Sequence, residues 1–210
     1  MPLIDPENGY NRYATNYRKD YDHLDSFDWN CCQTTLWEIL KTRKNVSLLD
    51  AGCGDGRVLV RLIRKFPDTQ LWGWDISEKM LAVASRRTKG IVKLVKHDVC
   101  LDPPAFSYPS EGFDVIVALF LLVHIQTPSL FFLNIRKVIK QEGVLVLNTI
   151  PQRRAPKLFD KKGDFTIEYY NHPVEKIQRD ADNQGFSIHS IEELEHSAVI
   201  VLKNSHVNKS

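Results

Sequence analysis

The segment Leu48-Leu49-Asp50-Ala51-Gly52-Cys53-Gly54-Asp55-Gly56 joins two different periodicities. Before it, Val46-Ser47-Leu48-Leu49-Asp50 is a short, nearly continuous apolar run, which reads as a buried strand. After it, Val58, Leu59, Leu62, Ile63 and Phe66 recur at helical spacing until Pro67 stops them. A strand must therefore turn tightly into a helix over glycine-rich residues. Glycine lacks a Cβ and adopts positive φ freely, so such a turn lets the backbone approach a ligand closely. In a sheet wound in both directions, the turn after the first strand lies beside the point where strand order reverses. Ligands bind there.

The alternation of periods continues. Gln70 to Asp75 is a second strand, and Ser77 is a good N-cap for a helix from Glu78 to about Arg87. Ile91 to His97 and Phe113 to Phe120 read as further strands. Thr127-Pro128 opens a helix ending near Lys140, with proline suited to its first turn, and Gly143 to Ile150 is a fifth strand. Unbroken apolar strands such as Val144-Leu145-Val146-Leu147 belong to a parallel sheet covered on both faces. The flanks differ. Residues 8–43 look helical, around Tyr10 to Leu24 and Trp29 to Lys44, and residues 151–170 read as an irregular, basic loop. A helix starts at Asn171-His172-Pro173 and ends at Gly185. Phe186 to Leu194 and Ala198 to Leu202 read as an antiparallel hairpin, with Asn204 to Ser210 as a frayed tail.

Composition sets the outer bounds. The 210 residues are 43% hydrophobic and 26% charged, which suits one domain with one core. Lys+Arg number 28 against 26 Asp+Glu, a net charge of +2 that gives no electrostatic reason to expect DNA or a membrane as partner. Cys31, Cys32, Cys53 and Cys100 form no C-x-x-C pair, so we expect reduced thiols and no metal. Met1 to Pro6 has neither a basic region nor a long apolar stretch, so no secretory leader is expected. The longest apolar run, Val115 to Val123, is about half the ~20 residues of a membrane span. A cytoplasmic protein is the expectation.

The glycine turn narrows the ligand. In the dinucleotide fingerprint G-x-G-x-x-G, Gly52 and Gly54 fit but Arg57 takes the third position, and the phosphate loop G-x-x-x-x-G-K-[ST] is absent. Asp50 would repel a pyrophosphate and attract an ammonium or sulfonium group. At this point Asp50-Ala51-Gly52-Cys53-Gly54-Asp55-Gly56 resembles motif I of class I S-adenosylmethionine-dependent methyltransferases. Trp74-Asp75-Ile76-Ser77-Glu78-Lys79-Met80-Leu81 resembles the segment after their second strand, and His97-Asp98-Val99 the segment after the third. Phe113 to Ala118 resembles their fourth strand, and Thr127 to Val146 the helix and strand that follow.

The resemblance, over residues 45–150, implies an α/β fold: a doubly wound, Rossmann-like, seven-stranded and mostly parallel sheet. Its C-terminal strand would be antiparallel, and helices would cover both faces. It also implies S-adenosyl-L-methionine as cofactor, held by Asp50, Gly52, Cys53, Gly54, Asp75, Ile76, Asp98, Val99, Ala118 and Tyr17. Asp75 would take both ribose hydroxyls through charge-assisted hydrogen bonds. Asp98 would meet the adenine amine and Val99 its ring. Gln141-Glu142-Gly143 departs from the usual Pro-Gly-Gly, at a turn with little bearing on function.

The residues flanking the fourth strand narrow the acceptor. Enzymes that methylate nitrogen in nucleic acid or protein often carry [DNS]-P-P-[YFW] after the fourth strand. Here Asp102-Pro103-Pro104-Ala105 precedes that strand and lacks the aromatic. The segment Leu119 to His124 instead resembles that of small-molecule enzymes of the quinone, malonyl-carrier and trans-aconitate kind. Spermidine synthases need acidic residues there, and none is present. His124 is the candidate base, since imidazole takes a proton near neutral pH; its plainer reading is a structural histidine bonding a loop carbonyl. Tyr10-Asn11-Arg12-Tyr13-Ala14-Thr15-Asn16-Tyr17 resembles the helix that covers the cofactor in this subgroup, with Arg18 where an Asp is common. It also reads simply as an amphipathic helix packed on the core.

These readings divide one domain, residues 1–210, into four parts. Residues 1–44 form a helical lid, 45–150 a cofactor core, 151–170 a substrate loop, and 171–203 a closing helix and hairpin. The loop's Arg153, Arg154, Lys157, Lys161 and Lys162, with Phe159, Phe165, Tyr169 and Tyr170, suit an acidic small molecule, an anionic carrier or RNA. The expected function is methyl transfer to a small-molecule acceptor, at oxygen or carbon, by in-line displacement. A non-catalytic cofactor-binding module and a protein or RNA methyltransferase using the basic loop stay open beside it.

Overall fold

The computed structural model describes residues 1–20, 29–150, 157–195 and 197–205. Its elements in chain order are β1 (Leu3–Ile4), α1 (Pro6–Asp20), α2 (Trp29–Lys41), β2 (Ser47–Ala51), α3 (Arg57–Lys65), β3 (Gln70–Asp75), α4 (Glu78–Arg87), β4 (Lys93–Lys96) and β5 (Phe113–Ala118). A 3-10 turn (Leu122–His124) leads to α5 (Pro128–Arg136), β6 (Ile139–Thr149), β7 (Leu158–Asp160), β8 (Gly163–Ile167), α6 (Val174–Asp182), β9 (Phe186–Glu193) and β10 (Ala198–Asn204).

Seven strands form the main sheet in the order β4-β3-β2-β5-β6-β10-β9. The pairs from β4 to β6 are parallel, and β10 is antiparallel to both β6 and β9. The fold is the expected one: α/β, mostly parallel, with an antiparallel C-terminal strand. Strand order reverses between β2 and β5, which puts a crevice at the carboxyl ends of those two strands.

Alternation within each strand builds two cores. Leu48, Val115, Val117, Val144 and Val146 pack with Leu36 and Leu40 of α2 and Leu59 and Leu62 of α3. Leu49, Ile116, Leu145 and Leu147 face the other way, onto Phe131, Phe132 and Ile135 of α5 and Ile177 and Ala181 of α6. Each fully buried Leu, Ile, Val or Phe contributes about 1.5–3 kcal/mol relative to exposure. The continuous apolar strands are thus a consequence of burial on two faces.

The flanks depart from expectation. Residues 158–167 are not an irregular loop. β7 and β8 form an antiparallel hairpin, and β8 pairs in parallel with the two-residue β1 in a separate three-stranded sheet. Phe165 and Ile167 alternate with Asp164 and Thr166, and the apolar pair buries against Tyr13 of α1. The lysines before Gly163 hide this alternation from a compositional reading. α5 ends at Arg136, and β6 begins at Ile139 rather than Gly143. β4 is shorter than Ile91 to His97. Asn204 is not frayed: it is 1% exposed, and its Nδ2 donates to the carbonyls of Ile139 and Lys140. The expected helical stretch through Leu24, the basic residues Arg153 and Arg154, and the tail from 206 lie outside the described residues. No helix among the described residues is long and apolar enough to cross a membrane.

Candidate active site

At the crevice, β2 delivers Asp50 and the chain enters the glycine turn. The amides of Gly52 and Cys53 both donate to the carbonyl of Trp74, at 2.8 and 2.9 Å, which ties the turn to β3. Gly54 has φ 52°, a left-handed value that favours glycine. Gly56 has φ 75° at the start of α3, and a Cβ there would meet the Ala84 backbone at 3.1 Å. The early third glycine therefore serves close packing of α3 on α4.

Three acidic residues of this region differ in their surroundings. Asp75 is 9% exposed, and each of its carboxylate oxygens accepts one backbone amide, from Gly54 and Ser77, both at 2.8 Å. Burial raises its pKa, opposed by those two hydrogen bonds. Each oxygen is thus already engaged once and retains a lone pair for a ligand hydroxyl. Asp55 is spoken for: Arg57 Nε donates to it at 2.9 Å and Arg87 Nη1 pairs with its other oxygen. Asp50 is 2% exposed and its Oδ2 has no hydrogen-bond partner. Burial, with repulsion from Asp75 and Asp55, pushes its pKa up to about 8. A buried, unpartnered carboxyl beside the turn is a ready counter-charge for a cation.

A cavity of about 420 Å³ opens from these residues toward α1 and β8. Asp50, Gly52, Cys53, Gly54, Asp75, Ile76, Asp98, Val99, Tyr17 and His124 all line it, so nearly every residue singled out from sequence converges there. Ala118 does not. It is fully buried, and strand alternation turns it with Ile116 into the core under α5. Leu119, Phe120 and Leu121 line the cavity in its place. Phe120 has φ 58°, unusual outside glycine, and its amide donates to Asn148 Oδ1 at 2.6 Å. Asp98 Oδ1 accepts the Cys100 amide at 2.9 Å, so it caps a turn as well as lining the cavity. The Cys53 thiol is held protonated by burial first and by Asp75 and Asp50 next, so it is inert.

The far end of the cavity is built by α1, the 3-10 turn and the segment after β8. His124 uses both ring nitrogens. Nδ1 donates to the Glu168 carbonyl at 2.8 Å; a carbonyl only accepts, so this nitrogen carries the hydrogen. Nε2 then accepts from the Tyr10 hydroxyl at 2.7 Å. Burial lowers the His124 pKa, which keeps the ring neutral. The structural reading of this histidine is what the geometry displays, with the addition of Tyr10, 114 positions away in sequence.

Gln126, Glu168 and Tyr170 also line this end; Tyr170 is one of the aromatics of the expected substrate loop, and Gln126 and Glu168 were not singled out from sequence. Gln126 is carried there by the 3-10 turn just before it, and Glu168 and Tyr170 arrive just beyond β8, whose pairing with β1 joins chain segments about 160 residues apart.

Helix α1 lies across the cavity and is secured on several sides. Asn11 Oδ1 accepts from Ser77 Oγ and the Lys79 amide, at 2.9 and 3.1 Å. Arg12 donates to both oxygens of Asp160, each at 2.7 Å. The Arg57 guanidinium stacks 4.6 Å above the Tyr17 ring. Among the described residues, no cluster of His, Cys, Asp and Glu could hold a metal ion.

Residues 49–145 match the family described as "Methyltransferase domain". The chain is 29% identical over 156 residues to phosphoethanolamine N-methyltransferase 1 of Zea mays, covering 71% of this chain and 30% of that protein. It is 37% identical over 76 residues to trans-aconitate 2-methyltransferase of Acidovorax ebreus, covering 30% of each. The chain thus spans under half the length of these relatives. Among solved structures, magnesium protoporphyrin IX methyltransferase from Synechocystis with bound SAH superposes with a TM-score of 0.69 at 16% identity. That match covers 95% of this chain and 97% of the other. Taken with the glycine turn and the acidic strand ends, these matches make the chain similar, over residues 49–145, to S-adenosylmethionine-dependent methyltransferases, with whose solved structures it shares its fold.

Proposed function

We propose that this chain transfers the methyl group of S-adenosyl-L-methionine to a small-molecule acceptor held inside the cavity. The observation that carries the reading is Asp50, a buried carboxyl with an unpartnered oxygen beside a glycine turn. It fits the ammonium of the cofactor's methionine end. Asp75 and Ile76 would meet the ribose, and Asp98 and Val99 the adenine. When bound, the cofactor supplies a methyl carbon made electrophilic by the sulfonium.

The protein's contribution is to position, to exclude water and to manage a proton. Helix α1 covers the cavity with Tyr10, Tyr13 and Tyr17. The Tyr10 hydroxyl, donating to neutral His124, is placed to take a proton from an acceptor while passing its own to Nε2. His124 would thereby act through Tyr10. On this reading residues 45–150 hold the cofactor, 1–44 close over it, and 171–203 complete the sheet. A cavity shared with the cofactor and roofed by α1 favours a small acceptor over a macromolecule.

Titration calorimetry with S-adenosylhomocysteine (SAH) tests the first half. Lack of binding by a folded sample at millimolar ligand would sink it. Transfer of labelled methyl from the cofactor into a lysate tests the second half. Label in the small-molecule fraction is expected, and label confined to protein or RNA would overturn it.

A further inference from the structure

Resting on that cofactor reading, we propose that the acceptor is a small amine methylated on nitrogen, and that Glu168 selects it. The sign of the charges around the cavity carries this. Asp50, Asp55, Asp75, Asp98 and Glu168 line it, and among the described residues the cation that faces them is Arg57. Arg57 is committed to Asp55 and to the Tyr17 ring. Asp55 is balanced by Arg57 and Arg87, while Asp50, Asp75 and Asp98 gather at the glycine-turn end.

Glu168 stands apart, at the end made by Tyr10, His124 and Tyr170. Its backbone carbonyl orients His124, and its carboxylate accepts from the Tyr170 hydroxyl at 3.3 Å. The described lysines of the hairpin region, Lys157, Lys161 and Lys162, are exposed and none lines the cavity. A carboxylate acceptor would therefore meet like charge. An ammonium group would meet a carboxylate and aromatic faces, both of which attract it. The resemblance to small-molecule enzymes implied oxygen or carbon; the charge of this end favours nitrogen.

The step balances as follows in atoms and charge. The substrate enters as an ammonium ion paired with Glu168. One proton leaves its nitrogen for the Tyr10 oxygen as the phenol proton moves to His124 Nε2. The freed nitrogen lone pair forms the N–C bond to the methyl carbon, and the C–S bond breaks with its electron pair remaining on sulfur. Sulfur becomes a neutral thioether, nitrogen ends as a methylammonium, and Glu168 faces one positive charge at the start and at the end.

The test uses the full chain saturated with SAH. Hexylamine and phenethylamine are titrated against it by calorimetry, beside hexanoate and phenylpropionate. The same four compounds are offered with labelled methyl donor. The amines are expected to bind and accept label, and the acids to do neither. Glu168→Gln, which keeps size and shape, should weaken amine binding by about tenfold and leave SAH affinity unchanged. Acids binding as well as amines, amines failing to bind SAH-loaded protein, or Glu168→Gln leaving amine affinity intact would each overturn the proposal. Failure of SAH itself to bind would instead overturn the cofactor reading on which it rests.

Discussion

The two ends of the cavity are assembled in different ways. At the glycine-turn end, Asp50, Gly54, Asp75, Asp98 and Val99 sit at or just beyond the carboxyl ends of consecutive parallel strands. Each is placed by the strand immediately before it. At the other end, Tyr10, His124, Glu168 and Tyr170 come from three segments far apart in sequence, joined by the His124 hydrogen bonds and the β1–β8 pairing. One end follows from the topology of the sheet, and the other depends on long-range contacts made by added pieces of chain. Binding of the cofactor should therefore respond to changes at the first end, and turnover to changes at the second.

The largest effect should break this division most visibly if it is wrong. Tyr10→Phe removes the hydroxyl that donates to His124 and leaves Nε2 without it. Proton management of this kind contributes about 10²–10⁴ in rate. We expect kcat to fall within that range in single-turnover assays, with SAH affinity by calorimetry unaltered. A Tyr10→Phe enzyme of normal kcat would remove Tyr10 and His124 from the chemistry. Asp75→Ala is the converse. It strips partners from the buried amides of Gly54 and Ser77, each worth about 1–3 kcal/mol when orphaned. SAH affinity should drop by about a hundredfold, and unchanged affinity would reject the ribose role.

The next effect sharpens the first end through pH. Asp50, with a pKa pushed up to about 8, keeps its proton at neutral pH in the empty protein. A cationic ligand favours the carboxylate, so binding must eject that proton. Affinity for SAH should therefore rise as pH climbs toward about 8, by at most about tenfold per unit, and level off above. Calorimetry near neutral pH in buffers of different ionisation enthalpy should show close to one proton released per ligand. In Asp50→Asn both the slope and the proton should vanish; a proton still released would assign it elsewhere. The sign for folding is the reverse. The unfolded chain sheds this proton near its ordinary 3.8, so Asp50 makes the empty fold less stable as pH rises from there toward about 8.

The same contrast governs what the sequence could reveal. The buried strands are legible because burial on both faces leaves unbroken apolar runs, as in Val144 to Leu147. Asp50, Asp75 and Asp98 are legible because a short turn after a strand fixes where a side chain ends up. Ala118 was misplaced by one feature that sequence order alone does not settle: which face of β5 meets the cavity. Tyr170 was marked only as one aromatic of the 151–170 substrate loop, and Glu168 within it was not singled out, for a different reason. Their position depends on β8 pairing with Leu3 and Ile4, a strand of two residues with no periodicity to read. The basic character of residues 157–162 then drew attention to exposed lysines, while the hairpin is tied to α1 through Arg12 and Asp160.

That contact gives the smallest effect, and it tests whether the added pieces act as a clamp. Arg12 grips both oxygens of Asp160 and donates to the Gly163 carbonyl, joining α1 to the hairpin. The guanidinium also lies 4.2 Å over the Phe165 ring. The pair is partly buried but is one contact among several, since α1 retains its Asn11 and Tyr17 contacts. Arg12→Gln should thus lower the melting temperature only slightly and raise KM for the acceptor more than it weakens SAH. The pH dependence identifies the cause. Arg12 holds the Asp160 carboxyl at about 2, below its ordinary 3.8. The clamp is then fully present above about pH 4 and is lost as pH falls through about 2. The melting difference between wild type and Arg12→Gln should accordingly shrink over that acidic window. A difference that persists unchanged below it would show that Arg12 acts by packing on Phe165 rather than by charge.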